Sequence, residues 1–260
     1  MMTRRSKLLA WIPTGLLAVV AVAVWQAIVT VYALPPILLP SPLAVLDAAW
    51  ETREELTRGA VVTGGAAVAG FLLSLVVGTG VAALMSQSRM LRLALYPYVI
   101  LLQTVPIVAI APLLVIWSGY TFRTVVLVTL IISLFPIINS VAAGLLAIPQ
   151  DRLDLFRLYG ASRLQTLWRL RIPTAVGHLV IGAKTSSGLA VIGAIVAEFF
   201  VGNGGANYSG LGTLMTGWQT LGRTAPLMAA LCISTLIGVI MFATVDLISR
   251  SLLRRWTQHD

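Results

Sequence analysis

The chain has 260 residues, of which 58% are hydrophobic and only 10% are charged, and its mean hydropathy is +0.93. Soluble domains are about a quarter charged, so this composition excludes an ordinary soluble domain and indicates a protein of the lipid bilayer. The net charge of +9 comes from basic residues spread through short segments beside apolar ones, which is typical of membrane topology signals and not of nucleic-acid binding.

Six apolar segments are long enough to cross a membrane as helices, which takes roughly 20 residues each. The first, at about 8–34, exceeds the roughly 7–15 apolar residues of a signal peptide, so we expect it to be retained. The others lie at 59–86, 93–117, 122–147, 174–201 and 225–249. The sequence therefore predicts an all-α membrane protein with six transmembrane helices. Cys232, the only cysteine, lies in the last apolar segment and is expected to be buried.

The basic residues predict the orientation of these helices. Thirteen of the eighteen lysines and arginines fall on the side of the N-terminus, four fall on the other side, and Lys184 lies within the fifth span. The first set is Arg4, Arg5, Lys7, Arg89, Arg92, Arg152, Arg157, Arg163, Arg169, Arg171, Arg250, Arg254 and Arg255, and the second is Arg53, Arg58, Arg123 and Arg223. Because positive charge accumulates on the cytoplasmic side, we expect both termini in the cytoplasm of a cell-membrane protein.

The outer-side segment 35–58 contains a short amphipathic pattern. Ser41 precedes Pro42, an order typical of a helix N-cap and first helical residue. Leu43, Leu46 and Trp50 share one face of that helix, which predicts an interfacial helix lying on the membrane. A plain linker is the alternative.

Small residues and prolines mark the middle spans. Glycines let helices approach closely in lipid, and the candidates are Gly64, Gly65, Gly70, Gly78 and Gly80. Prolines at membrane depth free backbone groups that a neighbour or a cavity must satisfy, and they are Pro97, Pro106, Pro112 and Pro136. Ordinary kinking is the alternative, but four prolines in two consecutive spans favour a moving or cavity-lining pair.

The loop 148–173, between spans four and five, carries five arginines. Its pattern predicts a short helix over 151–159, a corner at Gly160, and a second short helix over 163–170 that Ser162 caps. Phe156 and Tyr159 are candidate aromatic anchors for a soluble partner. Contact of the arginines with anionic lipid is an equally good interpretation of the residues alone.

This loop resembles the EAA loop of ABC importer permeases, whose pattern is E-A-A, three residues, Gly, nine residues and I-x-L-P. Asp154-Leu155-Phe156, Gly160 and Leu170-Arg171-Ile172-Pro173 keep that spacing, with Asp154 in place of glutamate and Leu155 and Phe156 in place of the alanines. Residues 35–255 resemble the nitrate/sulfonate/taurine/bicarbonate-type permeases. The matching segments are LPSP at 39–42, LQTVPIVAIAPLLVIWSGY at 102–120, FPIINSVAAGL at 135–145, VAEFF at 196–200 and SGLGTLM at 209–215.

The resemblance implies a type I importer permease, which forms a homodimer and works with a pair of ATPase subunits and a solute-binding protein. It divides the chain into a tail and first helix (1–34), an outer segment (35–58) and a permease core (59–255). It assigns ATPase docking to Asp154, Leu155, Phe156, Tyr159, Gly160, Arg163 and Pro173. The chain has no GxxxxGK[ST] phosphate-binding pattern, so we expect no catalytic residue, cofactor or metal here, and ATP bound by the partner.

Polar residues in the apolar spans are candidates for the translocation path. They are Gln103, Thr104, Asn139, Ser186 and Glu198, and Pro106 beside them is included because it interrupts the helix. The uncharged groups among them suit a path that holds its solute weakly. Glu198 is a functional candidate because an acid is costly at that depth, although a structural hydrogen-bonding role is the favoured interpretation. The glycine-rich loop 201–222 is expected to form the outer gate or part of the seat for the binding protein.

The solute is left open between two kinds. One is a sulfonate, nitrate or bicarbonate-type anion, and the other is a small organic molecule such as a vitamin or pyrimidine precursor, which the lack of a clearly placed cation favours. A stand-alone secondary transporter would call for an internal repeat and ion-coupling acids at midplane. An intramembrane enzyme would call for paired catalytic residues at depth. The sequence shows neither pattern.

Overall fold

The computed structural model describes residues 4–202 and 208–256, and all the regular structure in these residues is helical. In chain order the helices are α1 (Arg4–Val31), α2 (Pro42–Glu51), α3 (Arg53–Gln87), α4 (Arg89–Thr104), α5 (Ile107–Ser118), α6 (Phe122–Leu146), α7 (Gln150–Leu158), α8 (Arg163–Thr166), α9 (Ile172–Val201), α10 (Leu211–Thr220) and α11 (Thr224–Trp256). A π-helical segment, Leu167–Arg171, joins α8 to α9.

Four helices in the described residues are long and apolar enough to cross a bilayer alone: α3, α6, α11 and the continuous helix Arg163–Val201. The pair α4 and α5 meets the same standard together. This gives five crossings when the pair counts as one, and α1 is the candidate for the sixth through its apolar part Gly15–Val31. The all-α membrane architecture is confirmed.

The third predicted span, 93–117, is broken and not continuous. Its two halves, α4 and α5, meet at an angle of 99°. Val105 takes the extended conformation between them, with ψ of 124°, because the residue before a proline is pushed out of the helical region. Pro106 therefore makes the break, whereas Pro97, Pro112 and Pro136 all remain inside helices.

The core of the bundle forms where α6 packs between α3 and α9. Thr129 of α6 is fully buried between two glycines, Gly70 of α3 and Gly193 of α9. A Cβ on Gly70 would lie 2.5 Å from the Thr129 Cβ, and one on Gly193 would lie 3.0 Å from the Thr129 Cα. Glycine is therefore required for these helices to approach each other. Gly78 is similarly crowded by Ile137, but the predicted Gly64, Gly65 and Gly80 face open space.

A helix forms at the residues predicted for the interfacial helix. The Ser41 hydroxyl oxygen accepts a hydrogen bond from the Ala44 amide at 3.2 Å, with Pro42 as the first helical residue. Leu43, Leu46 and Trp50 are exposed along one face, and the Arg53 guanidinium lies 5.2 Å from the centre of the Trp50 ring. Val45 and Ala48 on the other face are buried. An apolar outer face of this kind suits a helix lying in the interface.

Cys232 is exposed, so the prediction that it is buried was wrong. It lies on α11, which is the least buried of the four long spans. Neighbouring apolar side chains on this helix, including Leu231 and Leu236, are exposed as well. An apolar run in a membrane helix therefore does not distinguish a protein-facing position from a lipid-facing one.

Candidate functional site

A knob formed by residues 150–162 projects from one end of the bundle, which we call the α7 end. The helix α7 closes with two backbone hydrogen bonds: Gly160 N donates to Arg157 O at 2.9 Å and Ala161 N donates to Phe156 O at 3.0 Å. Gly160 has a φ of +66°. This pairing and a left-handed residue define the Schellman ending of a helix, where glycine is favoured because it has no Cβ. The predicted corner at Gly160 is confirmed.

The second half of the loop differs from the prediction. Ser162 forms a capping box: its hydroxyl accepts from Gln165 N at 3.2 Å, and the Gln165 side chain accepts from Ser162 N at 2.8 Å. The helix that begins there does not stop near residue 170. It continues through the π-helical segment into α9, giving one 39-residue helix, Arg163–Val201, which we call the rod. A separate second short helix is therefore wrong.

The π-helical segment explains how the rod passes Pro173. Proline has no amide hydrogen, and its ring conflicts with the carbonyl four residues earlier. Widening the helix over Leu167–Arg171 relieves that conflict in the turn before Pro173, as π-bulges do elsewhere. The loop sequence thus supplies the Ser162 cap that starts the rod and the π-helical segment that keeps the rod continuous. The knob is attached to a helix that crosses the membrane.

The predicted docking residues lie on two sides of the knob. Leu155, Phe156 and Tyr159 line a cleft of about 430 Å³ with Ala161, Gln165 and Arg169. Leu158 and Tyr159 are 85% and 83% exposed, and Asp154 forms an exposed 2.9 Å ion pair with Arg157. Arg163 faces a different pocket, and Pro173 lies within the rod.

That different pocket has about 400 Å³ and is basic. Its lining comes from the end of α3, from α7 and from the start of the rod: Ser86, Gln87, Leu153, Arg157, Ala161, Arg163, Thr166 and Arg171. The Arg171 guanidinium donates to the Ser86 carbonyl at 2.8 Å, which ties α3 to the rod. Three guanidinium groups therefore share one pocket.

A cleft of about 520 Å³ opens at the break between α4 and α5. Three of the predicted path residues, Gln103, Thr104 and Pro106, line its near side. The far side is formed by α6, with Phe135 and Pro136, and by the rod, with Leu189, Ile192 and Val196. All the lining side chains are uncharged. The cleft therefore combines a broken helix, amide and hydroxyl groups, and an aromatic ring.

The other three path candidates do not line this cleft. Asn139 is exposed on α6, one turn after Pro136. Ser186 is fully buried, and its hydroxyl donates to the Ser133 carbonyl of α6 at 2.8 Å. This hydrogen bond fastens the rod to α6.

Glu198, the third of these, occupies a fully buried seat at the other end of the rod. Its carboxylate accepts hydrogen bonds from the Tyr208 hydroxyl at 2.8 Å and the Gly212 amide at 2.8 Å. Both of its oxygens are 2.9 Å from the Thr63 hydroxyl, which itself accepts from Leu211 N at 2.8 Å. The acid thus joins the rod to α3 and to the start of α10, which fits the structural role favoured from the sequence.

An ion-pair cluster between the rod and α11 is a feature that sequence reasoning missed. Lys184 Nζ lies 2.6 Å from one carboxylate oxygen of Asp246, and Arg250 Nη2 lies 2.6 Å from the other. The signal was present as opposite charges in two spans, but only the packing shows that they meet. Residues 203–207 of the predicted outer-gate loop lie outside the described residues, and part of the remainder forms α10.

The described residues form an all-helical bundle with a broken helix, an uncharged cleft and a projecting knob, an architecture that suits a polytopic membrane transport protein. Residues 56–254 match the family of binding-protein-dependent transport system inner membrane components, and the chain belongs to this family. It is a permease subunit of an ABC importer, a class that works with an ATPase and a solute-binding protein.

Several curated permeases are similar over most of the chain. A probable ABC transporter permease protein of Haemophilus influenzae is 32% identical over 87% of this chain and 91% of its own length. The formylaminopyrimidine transport permease protein of Halalkalibacterium halodurans is 32% identical, over 84% and 86%. The riboflavin transport system permease protein of Chloroflexus aurantiacus is 32% identical, over 89% and 85%. Permeases named for aliphatic sulfonates, nitrate and taurine match as well, which confirms the resemblance found in the motifs.

Proposed function

We propose that the chain is the homodimeric permease of an ABC importer for a small, uncharged, ring-containing organic molecule. The observation that carries the solute class is the cleft at the α4–α5 break, where every lining side chain is uncharged. Gln103 and Thr104 offer hydrogen bonds, and Phe135 offers a ring face for stacking. An inorganic anion would need a cation there to offset its lost hydration, and the lining offers only the Gln103 amide and the Thr104 hydroxyl as polar side chains. The relatives named for formylaminopyrimidine and riboflavin support the same class.

The homodimer is proposed because one chain lines only part of a path. Gln103, Thr104 and Val105 border the cleft and are also exposed at the surface of the chain. A second copy related by a two-fold axis would present the same residues from the other side. The two clefts would then form a shared path between them. The loaded binding protein would release its solute into this path from outside.

The α7 end is proposed to be cytoplasmic, with both termini on that side. The positive-inside count supports this orientation, since the loop with five arginines lies at the α7 end. The knob would then face the ATPase pair, which binds and hydrolyses ATP. This chain itself would carry no cofactor, no metal and no catalytic residue.

Force transfer follows from the continuity of the rod. The helix that begins at the corner of the knob also supplies Leu189, Ile192 and Val196 to the cleft wall. Closure of the ATPase pair would move the knob, and the rod would carry that displacement to the cleft. Asp154, Leu155, Phe156 and Tyr159 would form the contact with the ATPase. In this arrangement a change at the nucleotide site alters the shape of the path.

Photocrosslinking tests the docking assignment. A photoreactive phenylalanine analogue at Phe156 or Tyr159 is expected to capture the ATPase subunit in membranes that contain the whole transporter. The control position is Met90, which is 81% exposed at the same end of the bundle but lies in the first turn of α4, outside the knob. Capture of phospholipid alone from Phe156 and Tyr159 would contradict the assignment.

Uptake measurements test the cleft. Thr104→Val removes a hydroxyl from the cleft and is expected to lower solute uptake severalfold without lowering the amount of assembled complex. Thr244→Val on α11 is the matched control, because both threonine hydroxyls bond only to carbonyls of their own helices.

Thermal shifts of the cognate binding protein with nitrate, taurine, alkanesulfonates, riboflavin and pyrimidines identify the solute. Stabilisation by an inorganic anion alone would exclude the organic class, and uptake without ATP would point to a secondary transporter.

A further inference from the structure

The basic pocket beside the knob is separate from the cleft assigned to ATPase docking. Leu153 and Arg157, one turn apart on α7, face the basic pocket, whereas Leu155 and Tyr159 face the docking cleft. At the helical angle of 100° per residue these two pairs lie on nearly opposite sides of α7. The loop therefore has two distinct faces, one basic and one aromatic.

The charge in the basic pocket is incompletely balanced within the chain. Arg157 is paired with Asp154 at the rim. Within residues 4–202 and 208–256, no carboxylate lies within salt-bridge distance of Arg163 or Arg171. Arg171 is held in place by its bond to the Ser86 carbonyl and is partly buried. A fixed guanidinium presents its remaining N–H donors in a planar fork, which matches the geometry of phosphate oxygens.

The position of the pocket suggests which anion it meets. Ser86 and Gln87 are the last residues of the spanning helix α3, directly after its apolar run. Leu84, just before them, is exposed like a lipid-facing residue. On the rod, Trp168 is exposed between Arg163 and Arg171, and exposed tryptophan beside arginine is typical of the membrane–water interface. The pocket therefore lies where spanning helices end and headgroup phosphates begin.

We propose that this pocket binds the headgroup phosphate of an anionic phospholipid. Arg157, Arg163 and Arg171 contact the phosphate oxygens, and the lipid links the end of α3 to the start of the rod. Basic pockets between spanning helices on the cytoplasmic side are suited to such headgroups. The site does not depend on the nature of the solute. It makes the start of the rod responsive to the charge of the membrane as well as to the ATPase.

Lipid titration of the purified full-length permease tests the site. Phosphatidylglycerol is added to delipidated protein in neutral detergent, and bound lipid is counted by native mass spectrometry. The double variant R157Q/R163Q is expected to bind phosphatidylglycerol about fivefold more weakly for each arginine removed. R152Q/R169Q removes the same charge from the same loop outside this pocket and should bind as the wild type does. Phosphatidylcholine should show no difference between the variants.

Each alternative outcome contradicts the proposal in its own way. Equal weakening in both double variants would mean diffuse attraction to the loop, without a site. Saturation by inorganic phosphate, with no competition from the lipid, would assign the pocket to a soluble anion. Unchanged lipid binding in R157Q/R163Q together with lost ATPase binding would assign the arginines to an acidic group of the ATPase. If R157Q/R163Q unfolds, the single variant R163Q gives the same comparison, because Arg163 is exposed and outside the ion pairs described above.

Discussion

The two ends of the rod are built from opposite kinds of contact. At one end, Glu198 is fully buried and its carboxylate is held by short hydrogen bonds within the chain. At the other end, the knob exposes Leu158 and Tyr159 almost completely, and its Asp154–Arg157 ion pair is open to solvent. At the Glu198 end, the buried polar groups are hydrogen-bonded within the chain. At the knob end, side chains are exposed and available to a partner.

In the proposed force transfer, the rod would be a lever with a fixed joint at Glu198 and a free handle at the knob. Glu198 holds α3, the rod and α10 together through one buried carboxylate, so motion there is costly. The knob meets the rod at the Gly160 corner, and no residue of α7 is buried against the bundle. We therefore expect substitutions at Glu198 to act on folding and substitutions in the knob to act on coupling between the ATPase and transport.

Glu198→Ala tests the fixed joint and should have the largest effect. It leaves the Thr63 and Tyr208 hydroxyls and the Gly212 amide without their acceptor in a buried site, and such groups cost roughly 1–3 kcal/mol each when left unpaired. The permease is expected to lose most of its thermal stability in detergent, measured by intrinsic tryptophan fluorescence. Glu198→Gln keeps the shape but replaces one acceptor with a donor, and should fall between Glu198→Ala and the wild type.

The control for this joint is Glu54→Ala, which removes an acid that is largely exposed on α3. A folded and stable Glu198→Gln permease with altered solute specificity would show that this acid contacts the solute and is not a structural joint. Gly210→Ala provides an independent check, since a Cβ there would collide with the Glu198 carboxylate. It should destabilise the protein without changing any charge.

Gly160→Pro tests the free handle. Proline fixes φ near −65°, whereas Gly160 requires +66° and donates its amide hydrogen to Arg157. We expect solute-stimulated ATP hydrolysis by the reconstituted transporter to be abolished, while membrane insertion is unchanged. The measurement is ATPase activity with and without the loaded binding protein.

Two matched variants sharpen this result. Gly160→Asn should retain most of the coupling, because asparagine tolerates the left-handed conformation. Gly177→Ala should retain all of it, since Gly177 is helical and its added Cβ would meet open space. Unchanged coupling in Gly160→Pro would remove the corner from the force pathway.

The sequence predicted the local structure of the knob well, because caps and corners depend on neighbouring residues. The glycine corner and the Ser162 cap were both found at the correct residues. The error was to end the following helix near residue 170. Pro173 favours a helix boundary in general, and only the π-helical adjustment over Leu167–Arg171 shows that the helix continues.

Contacts between distant segments were much harder to predict. Five polar residues and Pro106 were proposed for one path, and Gln103, Thr104 and Pro106 meet in one cleft because they are neighbours in the chain. Ser186 and Glu198 are instead turned toward buried helix contacts. The side of the rod that faces a neighbouring helix depends on how the rod packs against α3 and α6. An apolar sequence alone does not specify that packing.

The Lys184–Asp246–Arg250 cluster is intermediate in solvent exposure between the buried Glu198 joint and the exposed knob. Asp246→Asn leaves two cations facing each other, whereas Lys184→Met leaves Asp246 paired with Arg250. We therefore expect Asp246→Asn to lower the unfolding temperature more than Lys184→Met, and both to lower it less than Glu198→Ala. The double variant K184M/D246N should be no worse than Asp246→Asn alone. A larger loss in Lys184→Met would contradict this account of the pairing.

The smallest expected effect is the loss of one serine N-cap, which can be compared between two caps at opposite ends of the molecule. Ser162→Ala and Ser41→Ala each remove an N-cap of similar geometry, with donor–acceptor distances of 3.2 Å in both, and each should cost about 1 kcal/mol. Only Ser162 lies at the junction of the knob and the rod, so only its loss should weaken solute-stimulated ATP hydrolysis. Hydrogen exchange should increase over residues 163–166 in that variant, and over residues 43–45 in the other. Ser162→Asp should restore coupling, because aspartate caps helices as well as serine does. Equal losses of coupling from Ser162→Ala and Ser41→Ala would mean that the two ends are not mechanically distinct.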